Sequence, residues 1–129
     1  MSKSKKETAC SLVWFEIPAD NMNRAKTFYG KLFGWKIAPI PGVKDYLHIN
    51  TGGHDSTPDG ALMGRMCPEH PVTNYIGVKS LKAHLTKLKK LGGKVHKPAT
   101  AVPGMGHFAI CQDTENNTFA LWQRDPKAK

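Results

Sequence analysis

The sequence predicts an α+β chain built from two βαβββ modules in tandem, and three observations predict it. Two amphipathic stretches of helical period each end at glycine. An apolar, strand-like run precedes each of them. Three more such runs, separated by Gly, Pro, Asn and Asp, follow each of them.

The first strand is expected over Leu12–Ile17, where Val13, Phe15 and Ile17 form one apolar side and Trp14 and Glu16 the other. A turn at Pro18-Ala19-Asp20-Asn21 then opens a helix, with Asp20 or Asn21 able to cap it. Met22, Ala25, Phe28, Tyr29, Leu32 and Phe33 recur on one helical face, and Gly34 suits a left-handed stop. Strands are expected over Trp35–Ala38, Asp45–Asn50 and Ala61–Met66.

The second module repeats the plan. A strand over Val72–Val78 leads to a helix starting near Ser80, striped by Leu81, Leu85, Leu88 and Leu91 and ended by Gly92-Gly93. Strands are expected over Lys94–Lys97, His107–Gln112 and Thr118–Gln123. The ends of the two helices match: Phe33-Gly34-Trp35-Lys36-Ile37 parallels Leu91-Gly92-Gly93-Lys94-Val95. In both modules the apolar strand sides should pack under the helix. The mixed sides, rich in aromatics with a few polar groups, should line a concave face, which is how small-molecule sites are built.

The 129 residues suit one domain with an unstapled core. Residues 1–9 read as a basic tail, 10–124 as the domain with modules at about 11–66 and 72–123, and 125–129 as a C-terminal tail. No apolar run approaches the roughly 18 residues of a membrane span, and no secretory signal is evident. Three cysteines without metal-type spacing (Cys10, Cys67 and Cys111) read as free thiols in a reducing, cytoplasmic setting. The net charge is +9, and seven lysines fall between Lys79 and Lys97 with no acid among them. Such a face could meet an anionic partner, but no nucleic-acid motif accompanies it, so a nucleic-acid role is not expected.

The segments VWFEIPADNMNRAKTFYGKLFGW, NYIGVKSLKAHLTKLKKLGGKV and PGMGHFAICQDTENNTFALWQ resemble the vicinal-oxygen-chelate superfamily. That superfamily holds glyoxalases, bleomycin-resistance proteins and extradiol dioxygenases. RAKTFYGKLFGW is similar to its first helix and the last segment to its C-terminal strands. Among its members the chain looks nearest a glyoxalase-related bacterial branch of largely unassigned activity. The resemblance covers about residues 11–123. It implies a curved, partly open, eight-stranded barrel-like sheet with one helix per module on the convex side. It also implies a metal site, typically His or Gln on the first strand, Glu on the fourth, His on the fifth and Glu on the eighth. Those places fall here on Trp14 (Val13 if the register slips by one), Met63 or Arg65, Thr73 and Ala120. Apart from the alternative Arg65, none carries a charged side chain, and none is a carboxylate or an imidazole. No metal ligand and no cofactor are therefore expected, with a divalent ion left open.

Glu16 and His48 are the catalytic candidates. A carboxylate among aromatics and an imidazole beside Tyr46 could each act as a base. Trp14, Arg65, Thr73, Tyr75, His107 and Trp122 are the ligand-binding candidates: aromatics to stack, Arg65 to clamp an anion or to pair with Glu16, and His107 at the lip formed by Gly104-Met105-Gly106. The expected function is metal-independent small-molecule binding of the glyoxalase/bleomycin-resistance type. One alternative is a glyoxalase-like lyase or isomerase using Glu16 or His48. Another is an anionic-partner binder through Lys79–Lys97. The expected partners are a small molecule and a second copy of the chain in a homodimer, with no membrane.

Overall fold

A computed structural model describes residues 10–54 and 57–129, so the expected N-terminal tail lies outside the described residues. Two compact units emerge. One is Val13–Thr73. The other is Asn74–Lys129, which takes in the described residues up to Leu12.

In the first unit the order along the chain is β1 (Leu12–Ala19), α1 (Met22–Phe33), β2 (Lys36–Pro39), β3 (Tyr46–Asn50) and β4 (Asp59–Gly64). Its strands lie in the order β2-β3-β4-β1, with β1 parallel to β4 and the other pairs antiparallel. Asn21, rather than Asp20, caps α1 by accepting the Arg24 N–H at 2.9 Å. Gly34 ends it at φ 74°, a left-handed turn that glycine adopts without penalty. Ile37, Ile49 and Leu62 form the core beneath α1, joined by Phe15, Ile17, Met22, Ala25, Tyr29 and Trp35. Burying each such aliphatic side chain is worth about 1.5–3 kcal/mol. The buried stripe is narrower than the apolar spacing suggested. Phe28, at the margin of the stripe, and Leu32 and Phe33, in the last turn, stay exposed.

The second unit repeats this with β5 (Thr73–Gly77), α2 (Leu81–Lys90), β6 (Lys94–Val102), β7 (Gly106–Gln112) and β8 (Thr118–Arg124). The strand order is β6-β7-β8-β5, again with one parallel pair, β5 with β8. Ser80 caps α2 by accepting the Ala83 N–H. Val78, Leu81, Ala109, Cys111 and Leu121 form the core, packed by Leu85, Leu88 and Phe119, while Leu91 stays exposed.

Two expectations need correction here. Pro98 does not end β6, which runs on to Val102, because β6 lies at the end of the strand order and its register shifts between Lys97 and Thr100. A proline without an N–H is tolerated at such an edge irregularity. The C-terminal residues are not a solvated tail either. The Gly104 N–H donates to the Ala128 carbonyl at 2.8 Å, and Ala128 is buried. Among the described residues no helix is long and apolar enough to cross a membrane.

Candidate functional site

In the first unit, strand register gathers the mixed-polarity side chains on the face away from α1. Glu16 of β1 and His48 of β3 both pair with Ala61 of β4, and Tyr46 pairs with Met63. Ala61 presents only a methyl group between them, so longer side chains reach across β4. Trp14 Nε1–H donates to the Tyr46 hydroxyl at 3.0 Å, and that hydroxyl donates to Glu16 Oε2 at 2.6 Å. A bond this short suits a neutral hydroxyl held by a carboxylate. Burial, then the Glu16 charge, pushes the Tyr46 phenol well above its ordinary value of 10.0. The phenol therefore stays protonated as the donor in the chain.

His48 stacks on Trp14, with ring centroids 5.8 Å apart and planes 16° from parallel. Its Nε2 lies 3.2 Å from Asp59 Oδ2, and Asp59 Oδ1 accepts the Thr51 N–H. A carboxylate only accepts, so Nε2 carries the hydrogen and Nδ1 is the basic nitrogen of the neutral ring. Asp59 escaped the sequence reading because Pro58-Asp59-Gly60 reads as a turn. The signal was its place two residues before Ala61, on the same face as the cross-strand partner of His48.

The other candidates are distributed differently. Arg65 lies just beyond β4 and does not meet Glu16. Its Nε bonds Asp20 at 2.9 Å, and its remaining nitrogens reach the His70 and Pro18 carbonyls. Thr73 is buried, and its hydroxyl donates to the Pro71 carbonyl at 3.3 Å.

In the second unit Tyr75, Phe108 and Trp122 share one face. Tyr75 and Phe108 lie 6.3 Å apart, and Phe108 pairs with Trp122 across β7 and β8. Phe108 was not singled out in the sequence. His107 points to the opposite, helix-packed side with Ala109 and Cys111, so it does not share the aromatic face of Trp122. There its Nε2 meets Asp125 Oδ2 at 3.1 Å. Hydrogen bonds from the Lys127 N–H and His107 hold the Asp125 carboxyl below the usual range. Cys111 is buried, and burial pushes its thiol up to about 11, so it is not a thiolate at neutral pH.

The positions where the metal of the resembled family would bind do not fit a divalent ion. The Trp14 indole is a donor already committed to Tyr46. Met63 offers a thioether and Ala120 a methyl, and the Thr73 hydroxyl is spent on a backbone carbonyl. Among the described residues no group of three or more His, Cys, Asp and Glu is placed to hold a metal ion.

A βαβββ unit built twice, with aromatic and polar side chains gathered on the face away from its helix, defines a class of small α+β proteins. Residues 11–121 match the Glyoxalase/Bleomycin resistance protein/Dioxygenase superfamily, and the chain belongs to it. A glyoxylase-like domain-containing protein of Didymella fabae is 34% identical over 118 residues, covering 87% of this chain and 92% of the relative. Solved structures share the fold at low identity. Methylmalonyl-CoA epimerase from Mycobacterium tuberculosis superposes with a TM-score of 0.67 at 13% identity, covering 92% of this chain and 91% of that one. The Mn(II)-bound glyoxalase from Novosphingobium aromaticivorans gives 0.63 at 16%, covering 94% of this chain and 40% of that one.

Proposed function

We propose that the chain is a small-molecule binding protein of the glyoxalase/bleomycin-resistance type whose ligand lies on the Trp14–Tyr46–His48 face without the family metal. The observation that carries this reading is the chain of hydrogen bonds from Trp14 through Tyr46 to Glu16, with His48 stacked on the indole. Its rings offer flat apolar surface, its polar atoms are fixed by neighbours, and such preorganised mixtures favour small, partly polar ligands. His48 Nδ1 is suited to accept a hydrogen bond from a ligand O–H or N–H.

A fragment screen followed by nuclear magnetic resonance tests this. Binders should move the Trp14 indole N–H signal and raise the melting temperature of the wild type. In Tyr46→Phe and His48→Asn they should bind about tenfold more weakly, the loss of one good hydrogen bond. Binders that leave the Trp14 signal unmoved overturn the reading.

The Asp59–His48 pair favours a second reading, a lyase or isomerase in which His48 is the base. A base oriented by a carboxylate is a recurrent catalytic arrangement. A proton taken by Nδ1 from a carbon acid should be replaced by solvent deuterium in a bound ligand. Exchange in the wild type that vanishes in His48→Asn supports catalysis, and tight binding without exchange removes it.

A further inference from the structure

We propose that the second unit carries a binding pocket for a single-ring aromatic carboxylate, built from Trp122, Arg124 and the loop around Met105. None of these residues belongs to the Trp14–Tyr46–His48 face. Trp122 and Arg124 alternate onto the same side of β8, the side opposite Leu121 and Gln123. Gly106 is the cross-strand partner of Arg124. A Cβ on Gly106 would collide with the Gln123 carbonyl and come within 2.7 Å of the Trp122 ring, so the indole lies against this glycine.

A cavity of about 280 Å³ opens there, lined by Gly104, Met105, Trp122, Arg124 and Pro126. Its walls are tied down. The Asp125 N–H donates to the Met105 carbonyl at 2.7 Å, the Gly104 N–H donates to the Ala128 carbonyl, and Asp125 is anchored to His107.

The chemistry of the lining selects the ligand. Arg124 is exposed, and no described carboxylate lies within ion-pair distance of its guanidinium. The adjacent Asp125 is engaged by His107 and by the Lys127 N–H, on the other side of the strand. A guanidinium fork matches a carboxylate in two parallel hydrogen bonds, an indole offers a stacking face, and a thioether adapts to a ring edge. The volume lies just below the roughly 300–1,000 Å³ of ordinary ligand pockets, which suits a ligand of one ring.

The test titrates benzoate, benzamide and acetate into the full chain while following the three indole N–H signals. Benzoate should move the Trp122 signal saturably, with benzamide and acetate each at least about tenfold weaker, since each lacks one of the two recognition elements. Arg124→Gln should bring benzoate to the benzamide level, and Arg124→Lys should recover only part of the difference, because an ammonium cannot make the paired contact. Equal binding of benzoate and benzamide, an unchanged affinity in Arg124→Gln, or a shift confined to the Trp14 or Trp35 signal overturns the proposal.

Discussion

Tyr46 links the polar groups of the first unit, because its one hydroxyl accepts from Trp14 and donates to Glu16. Its raised ionisation has a definite consequence for stability. The native phenol holds its proton more tightly than the unfolded one. The stabilisation is therefore complete below about pH 10, the unfolded value, and is lost as pH rises toward the native one. Denaturant titrations across the alkaline range should show that loss in the wild type and a flatter profile in Tyr46→Phe. Absorbance titration of tyrosinate should show a late-ionising phenol that the substitution removes. At neutral pH the same change should cost about 1–2 kcal/mol, since a part-buried carboxylate loses a donor. A second prediction concerns Trp14, Met63, Thr73 and Ala120, whose donors do not suit a divalent ion. Ni²⁺, Zn²⁺ or Mn²⁺ should leave the melting temperature unchanged, whereas a tight site at a hundred times its Kd would add about 2.7 kcal/mol. How much of this is written in the sequence depends on distance along the chain. Alternation alone places Trp14 and Glu16 on one strand side and Tyr46 and His48 on another. It cannot show that Asp20, 45 residues away, takes Arg65 before Glu16 can.

Among the elements, the parallel pairing of β1 with β4 sets the geometry of the first site, and Gly60 permits it. A Cβ there would collide with the Phe15 carbonyl and approach its ring to 2.6 Å. Phe15 pairs with Gly60, and Asp59 is the next residue. Gly60→Ala should therefore cost more than the roughly 1–3 kcal/mol of ordinary overpacking, because backbone rather than a side-chain tip must move. It should also disturb the His48–Asp59 contact. Urea unfolding and the His48 ring signals check both effects, and a neutral substitution would show that β1 and β4 have room to separate. Elements of this kind were legible wherever a residue forces its own conformation: Gly34 stopping α1, Asn21 and Ser80 opening the helices, and alternation assigning Ile49 and Leu121 to the core. They were illegible where tertiary context overrides local preference. Pro98 reads as a break until the strand order places β6 at an edge. Pro58-Asp59-Gly60 reads as a turn until pairing with β1 makes Asp59 and Gly60 the start of β4.

Over the whole molecule the dominant long-range term is the net charge of +9. All seven lysines between Lys79 and Lys97 are exposed, and no acid lies in that stretch. Locally two effects oppose each other. Lys87, Lys89 and Lys90 occupy the last turn of α2, where the helix dipole favours cations by about 0.3–1 kcal/mol each, while like charges a turn apart repel by about 0.2–0.5 kcal/mol per pair. Over longer distances repulsion prevails, because 19 lysines and arginines face only 10 acids, and the Arg65–Asp20 pair offsets one of the positive charges. Salt should therefore screen more repulsion than attraction, since the Debye length falls from about 30 Å at 0.01 M to about 8 Å at 0.15 M. The melting temperature should rise as NaCl increases over that range. Lys94→Gln with Lys97→Gln, two positions outside α2, should reduce the dependence without touching the helix dipole. A melting temperature that falls with added salt would mean that attractive pairs govern the surface, and the lysine face could then no longer be treated as a set of uncompensated charges.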